Sequence, residues 1–284
     1  GRRIRMEEGP TNGSAESSSR SGATTRRRLL AGGAAAGVGA LAGCLGGRDG
    51  PVPAPAVTSD RVADWRATDS AESVVFERSY GVTTVRALEH TRTYEYAPVA
   101  DALAETFDPS GSPLRFVATR LDLRPAIDRL PGEVGRDRIV SEVEAAATEV
   151  FRAQLRDAGV AGVAVADEGI STVTSGHTAT VWRLTGEFAL DGDLPLPSGS
   201  TADVDGLLDV GARLGVWHDG TDVLVAGGAY PTEPILARLD RSLPDGVDAE
   251  LAVTRLAGEE ASAALATDPA AFDVDVSQLL ISVE

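Results

Sequence analysis

The chain has 284 residues, with 43 Asp and Glu against 26 Lys and Arg, so its formal net charge is -17. Every one of those 26 basic residues is Arg. Nucleic-acid binders hold phosphates on faces rich in Lys and Arg, so the acidic excess excludes the ordinary members of that class. Lysine is normally among the commonest residues, and its absence beside so many acids indicates adaptation to molar salt, as in an extreme halophile.

The N-terminal part of the chain has the features of an export signal. Arg26 and Arg27 precede an apolar run, rich in Gly and Ala, over residues 29–43. This run has 15 residues, whereas a helix that spans a membrane needs about 20. We therefore predict a twin-arginine signal, in which Arg26 and Arg27 are recognised by the Tat translocase during export.

A lipobox follows directly. Leu41, Ala42 and Gly43 lead to Cys44, the single cysteine of the chain. Small residues before such a cysteine are typical of a cleavage site, and a lone thiol at this place indicates lipidation. We expect Cys44 to carry a membrane lipid that holds the protein on the outer face of the cytoplasmic membrane.

These features divide the chain into four parts. Residues 1–24 are predicted to be a disordered n-region or the product of a start assigned too early, with Met6 as the true start; residues 25–43 form the signal. Residues 44–56 comprise the lipidated cysteine and a Gly- and Pro-rich tether, and residues 57–284 one domain. Removal of residues 1–43 leaves 40 acids and 19 Arg, a net charge of -21.

The clearest helix is predicted over residues 137–158, where Asp137 can cap the start and Gly159 can end it. Three acids precede two arginines on this helix, which we interpret as a solvated face. The residues of the apolar stripe are Val140, Val143, Ala147, Val150 and Leu155.

Alternating residues predict a half-exposed strand over 180–190. A hairpin is predicted over 208–230, with Asp219-Gly220 as a two-residue turn that pairs His218 with Thr221 and Val216 with Val223. In that register four apolar residues share a face that points into the core: Leu214, Val216, Val223 and Val225.

A second helix is predicted over residues 233–243 with Thr232 as a possible cap, and part of the tail over 259–284 looks helical. Strands in series, one long helix, further strands and a C-terminal helix indicate the α+β class. We expect a single domain with a mainly antiparallel sheet covered by helices, for which a PsbP-like arrangement is possible.

The chain as a whole resembles a known family. The lipobox, the strand-rich middle and the strand end Val225-Ala226-Gly227-Gly228-Ala229-Tyr230-Pro231 before a helix look like the haloarchaeal lipoproteins grouped as domain of unknown function 6517. The resemblance covers most of residues 24–243. It implies no activity, so no catalytic residue is carried over.

Motifs for nucleophilic catalysis are missing. Cys44 is assigned to the anchor, and neither Ser175 nor Ser200 lies in the Gly-x-Ser-x-Gly elbow of serine hydrolases. The three histidines, His90, His177 and His218, are isolated from one another, unlike the paired ligands of zinc motifs. The sequence therefore predicts no catalytic residue, no metal ligand and no cofactor, although a triad assembled in space stays open.

Two pairs of acids superficially suggest calcium loops. They are Asp191 with Asp193 and Asp203 with Asp205, but the twelve-residue EF-hand pattern with its final Glu is missing. In so acidic a chain we expect solvated loop carboxylates, with weak cation binding as the alternative.

Tryptophan is the remaining candidate for ligand contact. Trp182 belongs to the buried face of its strand, whereas Trp217 lies opposite the valine face of the hairpin. We therefore take Trp217 as a possible ligand contact, with core packing as the alternative.

The leading hypothesis is a lipid-anchored domain outside the cell, acting as a non-enzymatic binding or structural module. Its expected partners are membrane lipid through Cys44, the Tat translocase during export, and an unknown protein or small-molecule ligand. The alternative is a surface-tethered hydrolase that uses scattered Asp, Glu and His.

Overall fold

The computed structural model describes residues 53–80, 83–106, 111–126, 133–196 and 199–284. Within these ranges the chain forms one seven-stranded sheet and five α-helices. The strands are β1 (Trp65–Tyr80), β2 (Thr83–Tyr96), β3 (Arg115–Arg124), β4 (Val160–Thr172), β5 (Thr178–Pro195), β6 (Thr201–His218) and β7 (Asp222–Pro231). The helices are α1 (Ala97–Thr106), α2 (Glu133–Asp157), α3 (Ile235–Ser242), α4 (Ala249–Leu265) and α5 (Pro269–Ile281).

The sheet is antiparallel throughout and has the strand order β1-β2-β3-β7-β6-β5-β4. Two runs of neighbouring strands, β1 to β3 and β4 to β7, meet at the pairing of β3 with β7. Helix α2 connects β3 to β4, the outer strand of the second run. The predicted α+β domain with an antiparallel sheet covered by helices is confirmed.

Helices α2 and α5 cover opposite faces of the sheet. A Cβ atom at Gly227 would lie 2.9 Å from ring atoms of Phe151 on α2, and one at Gly228 would lie 3.0 Å from Val276 on α5. Successive strand residues point to opposite faces. Two adjacent glycines on β7 therefore allow a helix to approach each side.

Helix α2 begins at Glu133, four residues before the predicted start, so Asp137 lies inside the helix and does not cap it. The segment between Pro131 and Asp137 contains no proline that would break a helix. Gly159, with φ of +94°, follows the last turn as predicted. The predicted apolar stripe is only partly buried, because Val150 is 54% exposed.

The β6–β7 hairpin differs from the prediction by two residues of register. Val216 pairs with Val225 and His218 with Val223. The two-residue turn was wrong because Oδ1 of Asp219 accepts hydrogen bonds from the backbone N–H groups of Thr221 and Asp222, both at 2.8 Å, which requires a longer loop. These bonds lower the pKa of Asp219 although burial acts to raise it.

A shift of two residues leaves every side chain on its predicted face, because the period of a strand is two. The shared face of the four apolar hairpin residues is therefore confirmed, and it points towards α2. The alternation predicted for β5 is also confirmed, since Trp182, Leu184, Phe188 and Leu190 are buried.

The C-terminal helices are better defined than the sequence indicated. Helix α3 begins at Ile235 with Pro234 as its N-cap residue, so Thr232 is not the cap. Helices α4 and α5 are capped by Asp248 and Asp268, whose carboxylates accept from backbone N–H groups at 2.9 Å.

The first and last described segments of the chain pair with each other. Val57 and Val283 form an isolated antiparallel bridge. Ala56 and Glu284 exchange two backbone hydrogen bonds of 2.8 Å. Residues 56–58 are thereby fixed beside the end of α5.

Candidate functional site

A cavity of about 500 Å³ lies between helix α2 and the sheet face formed by β2, β3, β7 and β6. The α2 residues that line it are Ile139, Glu142, Val143, Ala145, Ala146, Ala147, Val150, Phe151 and Gln154. The sheet residues that line it are Glu89, Val117, Thr119, Leu121, Leu214, Val225 and Gly227.

The helix wall explains why the space is open. Residues 139, 143, 146, 150 and 154 follow each other at helical spacing and therefore lie on one face of α2. Ala146 lies on that face and is flanked by Ala145 and Ala147, and all three small residues line the cavity. Val150 lines the cavity although it is 54% exposed. The cavity thus opens to solvent along a helix that carries small residues.

The sheet wall is mostly apolar, with one polar row at its β2–β3 side. Thr119 of β3 is 7% exposed, and its Oγ1 atom lies 2.8 Å from Oγ1 of Thr91 on β2. Thr91 in turn lies 2.5 Å from Oε1 of Glu89 and donates to it. We call Thr119, Thr91 and Glu89 the polar row.

The helix contributes two further polar side chains to the lining. Glu142 accepts a hydrogen bond from Nε of Arg138 at 3.2 Å. Gln154 lies three turns further along α2. The lining residues include no His, Cys, Ser or Arg among the part of the chain that the structure describes. The arrangement can enclose an apolar molecule and accept hydrogen bonds from one polar group of it.

Residues 52–284 match the family described as a domain of unknown function, DUF6517. The chain belongs to this family. The match extends through the tail to the last residue, beyond the range of 24–243 over which the sequence resemblance was evident. No curated protein and no solved structure matches the chain.

The predicted signal and anchor residues of this DUF6517 chain lie outside the described residues. They are Arg26, Arg27, Leu41, Ala42, Gly43 and Cys44. Twin-arginine export and lipidation therefore stay predictions. Each helix within the described ranges is too short or too polar to span a lipid bilayer.

Trp217 does not line the cavity of the DUF6517 domain. It pairs with Leu224 on the sheet face opposite the valine side chains, and only 2% of it is exposed. Its indole Nε1 has no hydrogen-bond partner among the described residues. The structure places Trp217 in the core, and its proposed contact with a ligand stays a prediction.

The three histidines lie on separate elements. His90 is on β2, where its Nε2 is 3.2 Å from Oγ of Ser70. His177 directly precedes β5, and His218 is the exposed last residue of β6. Among the described residues no group of three or more His, Cys, Asp or Glu side chains could hold a metal ion.

The acid pairs do not lie in loops. Asp191 and Asp193 are on β5, and they stand directly opposite Asp205 and Asp203 on β6. All four are exposed. The prediction of loop carboxylates was wrong because these acids alternate with buried apolar residues such as Val204, which is the pattern of a strand.

Three carboxyl groups with a shifted pKa, those of Asp219, Asp273 and Asp275, are not among the residues that line the cavity. Asp219 accepts from its own loop, Asp273 from Arg213, and Asp275 from Nη1 of Arg61 at 2.5 Å. Burial raises the pKa of Asp275, and the nearby Arg61 offsets this only in part. Each of these groups has a hydrogen-bond partner in the fold.

Sequence reasoning missed the cavity and its polar row. The run of three alanines in α2 was visible, but only Ala147 was assigned to the apolar stripe. Glu89, Thr91 and Thr119 belong to strands whose pairing cannot be inferred locally.

Proposed function

We propose that this chain is a membrane-anchored, extracytoplasmic binding protein of an extreme halophile that holds a small apolar ligand between α2 and the sheet. The cavity of about 500 Å³ carries the proposal. Protein interiors contain few voids larger than a water molecule. Ligand sites are typically about 300–1,000 Å³, apolar, and provided with a few polar groups. The size and lining therefore support a binding site over a packing defect.

A binding role is favoured over hydrolysis by the chemistry of the lining. Nucleophilic catalysis needs a hydroxyl or thiol activated by an adjacent base, which is most often His. Among the lining residues that the structure describes, the hydroxyl group belongs to Thr119. It is hydrogen-bonded to another threonine, Thr91, and not to a base. The polar row is therefore suited to hydrogen bonding with a ligand.

The anchored location is supported by the sequence alone. Arg26 and Arg27 precede the apolar run, and Cys44 follows the small residues of a lipobox. One acyl chain gives only marginal membrane binding, so stable anchoring requires a lipid with two chains or a second signal. Residues 45–56 would then separate the binding domain from the membrane surface.

The binding proposal is tested by filling the cavity. We expect the full chain, in molar KCl, to bind the uncharged apolar dye N-phenyl-1-naphthylamine with an increase in fluorescence. Ala146 is exposed but lines the cavity. Ala146→Trp should reduce dye affinity by about tenfold or more, because the large ring takes up space that would bury the dye.

Ala164→Trp is the matched control, because Ala164 is exposed on β4 and does not line the cavity. This variant should bind the dye as the wild type does. Circular dichroism and thermal unfolding establish that both variants fold. Failure of the wild type to bind, or equal binding by Ala146→Trp, would contradict the proposal.

The anchor is tested by Cys44→Ser. We expect the wild type in the membrane fraction and extractable with detergent, because its lipid inserts into the bilayer. Cys44→Ser should be released to the medium or should accumulate as an unprocessed precursor. Recovery of the wild type from the cytosol with a free thiol at Cys44 would show that the protein is not anchored.

A further inference from the structure

The direction of the hydrogen bonds in the polar row is fixed by chemistry. An ionised carboxylate can only accept, and a hydroxyl has a single hydrogen to donate. Thr91 therefore gives its hydrogen to Oε1 of Glu89, at 2.5 Å. The bond of 2.8 Å between Thr91 and Thr119 must then be donated by Thr119.

This direction leaves the cavity side of the row with acceptors only. Thr119 has used its hydrogen on Thr91, so its hydroxyl offers lone pairs to a ligand. Glu89 retains its second oxygen, Oε2, as an acceptor. Both residues line the cavity.

The rest of the lining does not provide a partner for an anion. It contains no Arg within the described residues, and the chain has no Lys. Glu142 adds a second carboxylate on the helix wall. Gln154 provides the amide donors of the lining, without a positive charge. A ligand carboxylate or phosphate would therefore meet like charge and desolvation, with the neutral amide of Gln154 as its donor and no positive charge in the described lining.

We propose that the ligand is an apolar molecule with one polar end that donates hydrogen bonds, a hydroxyl or an ammonium group, held by Glu89 and Thr119. This inference rests on the proposed function. The hydrocarbon part packs between Val143 and Val150 of α2 and Val225 of β7. A hydroxyl and an ammonium group can both donate hydrogen bonds to Glu89 and Thr119. They differ because the ammonium group also carries a positive charge that attracts the carboxylate of Glu89.

The test compares three ligands with the same hydrocarbon chain: dodecan-1-ol, dodecylamine and dodecanoate. Each is titrated against the bound apolar dye on the full chain, below its solubility limit or its micellar concentration. We expect the alcohol or the amine to bind at least about tenfold tighter than dodecanoate, which corresponds to one hydrogen bond to a charged group. The order of alcohol and amine shows which donor the site prefers.

Two variants assign this preference to the polar row. Glu89→Gln replaces an acceptor by an amide that also donates, and it should reduce the preference over dodecanoate by about tenfold. Thr119→Val keeps the shape of the side chain and removes its lone pairs, so we expect a loss of about twofold to tenfold in alcohol affinity. Glu168→Gln, at an exposed site on β4, should change neither value.

The outcomes separate the two proposals. If the dye does not bind to the wild type, the proposed function fails. If the dye binds but the three ligands displace it equally, or dodecanoate binds best, only the acceptor-lined site is overturned. An unchanged preference in Glu89→Gln, in a variant that folds normally, also overturns it.

Discussion

Asp273 is the acceptor of a cluster that joins helix α5 to strands β6 and β7. Its two carboxylate oxygens accept from Nε and Nη2 of Arg213 at 2.7 and 2.8 Å, and the hydroxyl of Tyr230 also donates to it. The hydrogen bonds from Arg213 lower the pKa of Asp273, against partial burial. Burial, with the bond to Asp273, raises the pKa of Tyr230 to about 12, so its phenol remains a donor near neutral pH.

Asp273→Asn should destabilise the domain by about 1–2 kcal/mol at pH 7, because it removes the charge from a partly exposed site with three donors. The pKa of Asp273 in the folded state lies below its unfolded value of about 3.9. Its contribution is therefore present above that value and is lost as pH falls through the folded pKa. Urea unfolding at constant molar salt should show the wild type and the variant converging below about pH 4.

Asp245→Asn serves as the control, because Asp245 lies in an exposed turn between α3 and α4. It should change the free energy of unfolding by less than about 0.5 kcal/mol. If the two variants lost equal stability, or if the gap for Asp273→Asn did not depend on pH, the carboxylate of Asp273 would not be the stabilising group.

At the scale of elements, local sequence patterns predicted where helices and strands lie and which of their faces are buried. Helical spacing located α2, and the alternation of residues in β5 assigned the buried and exposed faces of that strand, because amphipathic periods report burial directly. The predicted ends of the helices were less accurate. The predicted hairpin register was wrong because the side chain of Asp219 accepts hydrogen bonds from its own loop, and this contact competes with the two-residue turn that Asp-Gly usually forms.

The cavity depends on contacts that no local pattern contains. Its sheet wall exists because β3 pairs with β7, strands separated by about a hundred residues, so that Thr119 lies beside Val225. Its helix wall depends on which face of α2 meets that pair. From the sequence alone, the alanines of α2 indicate only a strong preference for helix, because their position opposite the sheet is not known. For the same reason the polar row could not be predicted.

At the scale of the whole molecule, the outer parts of β5 and β6 present like charges to each other. Three directly paired positions hold two acids each: Glu187 with Asp209, Asp191 with Asp205, and Asp193 with Asp203. Like charges directly opposite each other destabilise a sheet. In about 1 M salt the Debye length is about 3 Å, and this repulsion is screened.

We therefore expect the domain to lose stability when salt is reduced from about 1 M to about 0.1 M KCl, where the Debye length rises to about 10 Å. Asp203→Asn combined with Asp205→Asn should lose less stability than the wild type, because two like-charge pairs are removed. Thermal unfolding at both salt concentrations measures the difference. Equal salt dependence in the variant, or no salt dependence in the wild type, would contradict this explanation.

The bridge between residues 56–58 and 282–284 determines how mechanical load from an anchored N-terminus would enter the domain. Tension from such an anchor would act first on the backbone bonds between Ala56 and Glu284, at the end of α5. Helix α5 covers the sheet face opposite α2. If the chain is anchored as proposed, forces from the membrane would therefore reach the domain beside α5, on the sheet face opposite the one that lines the cavity.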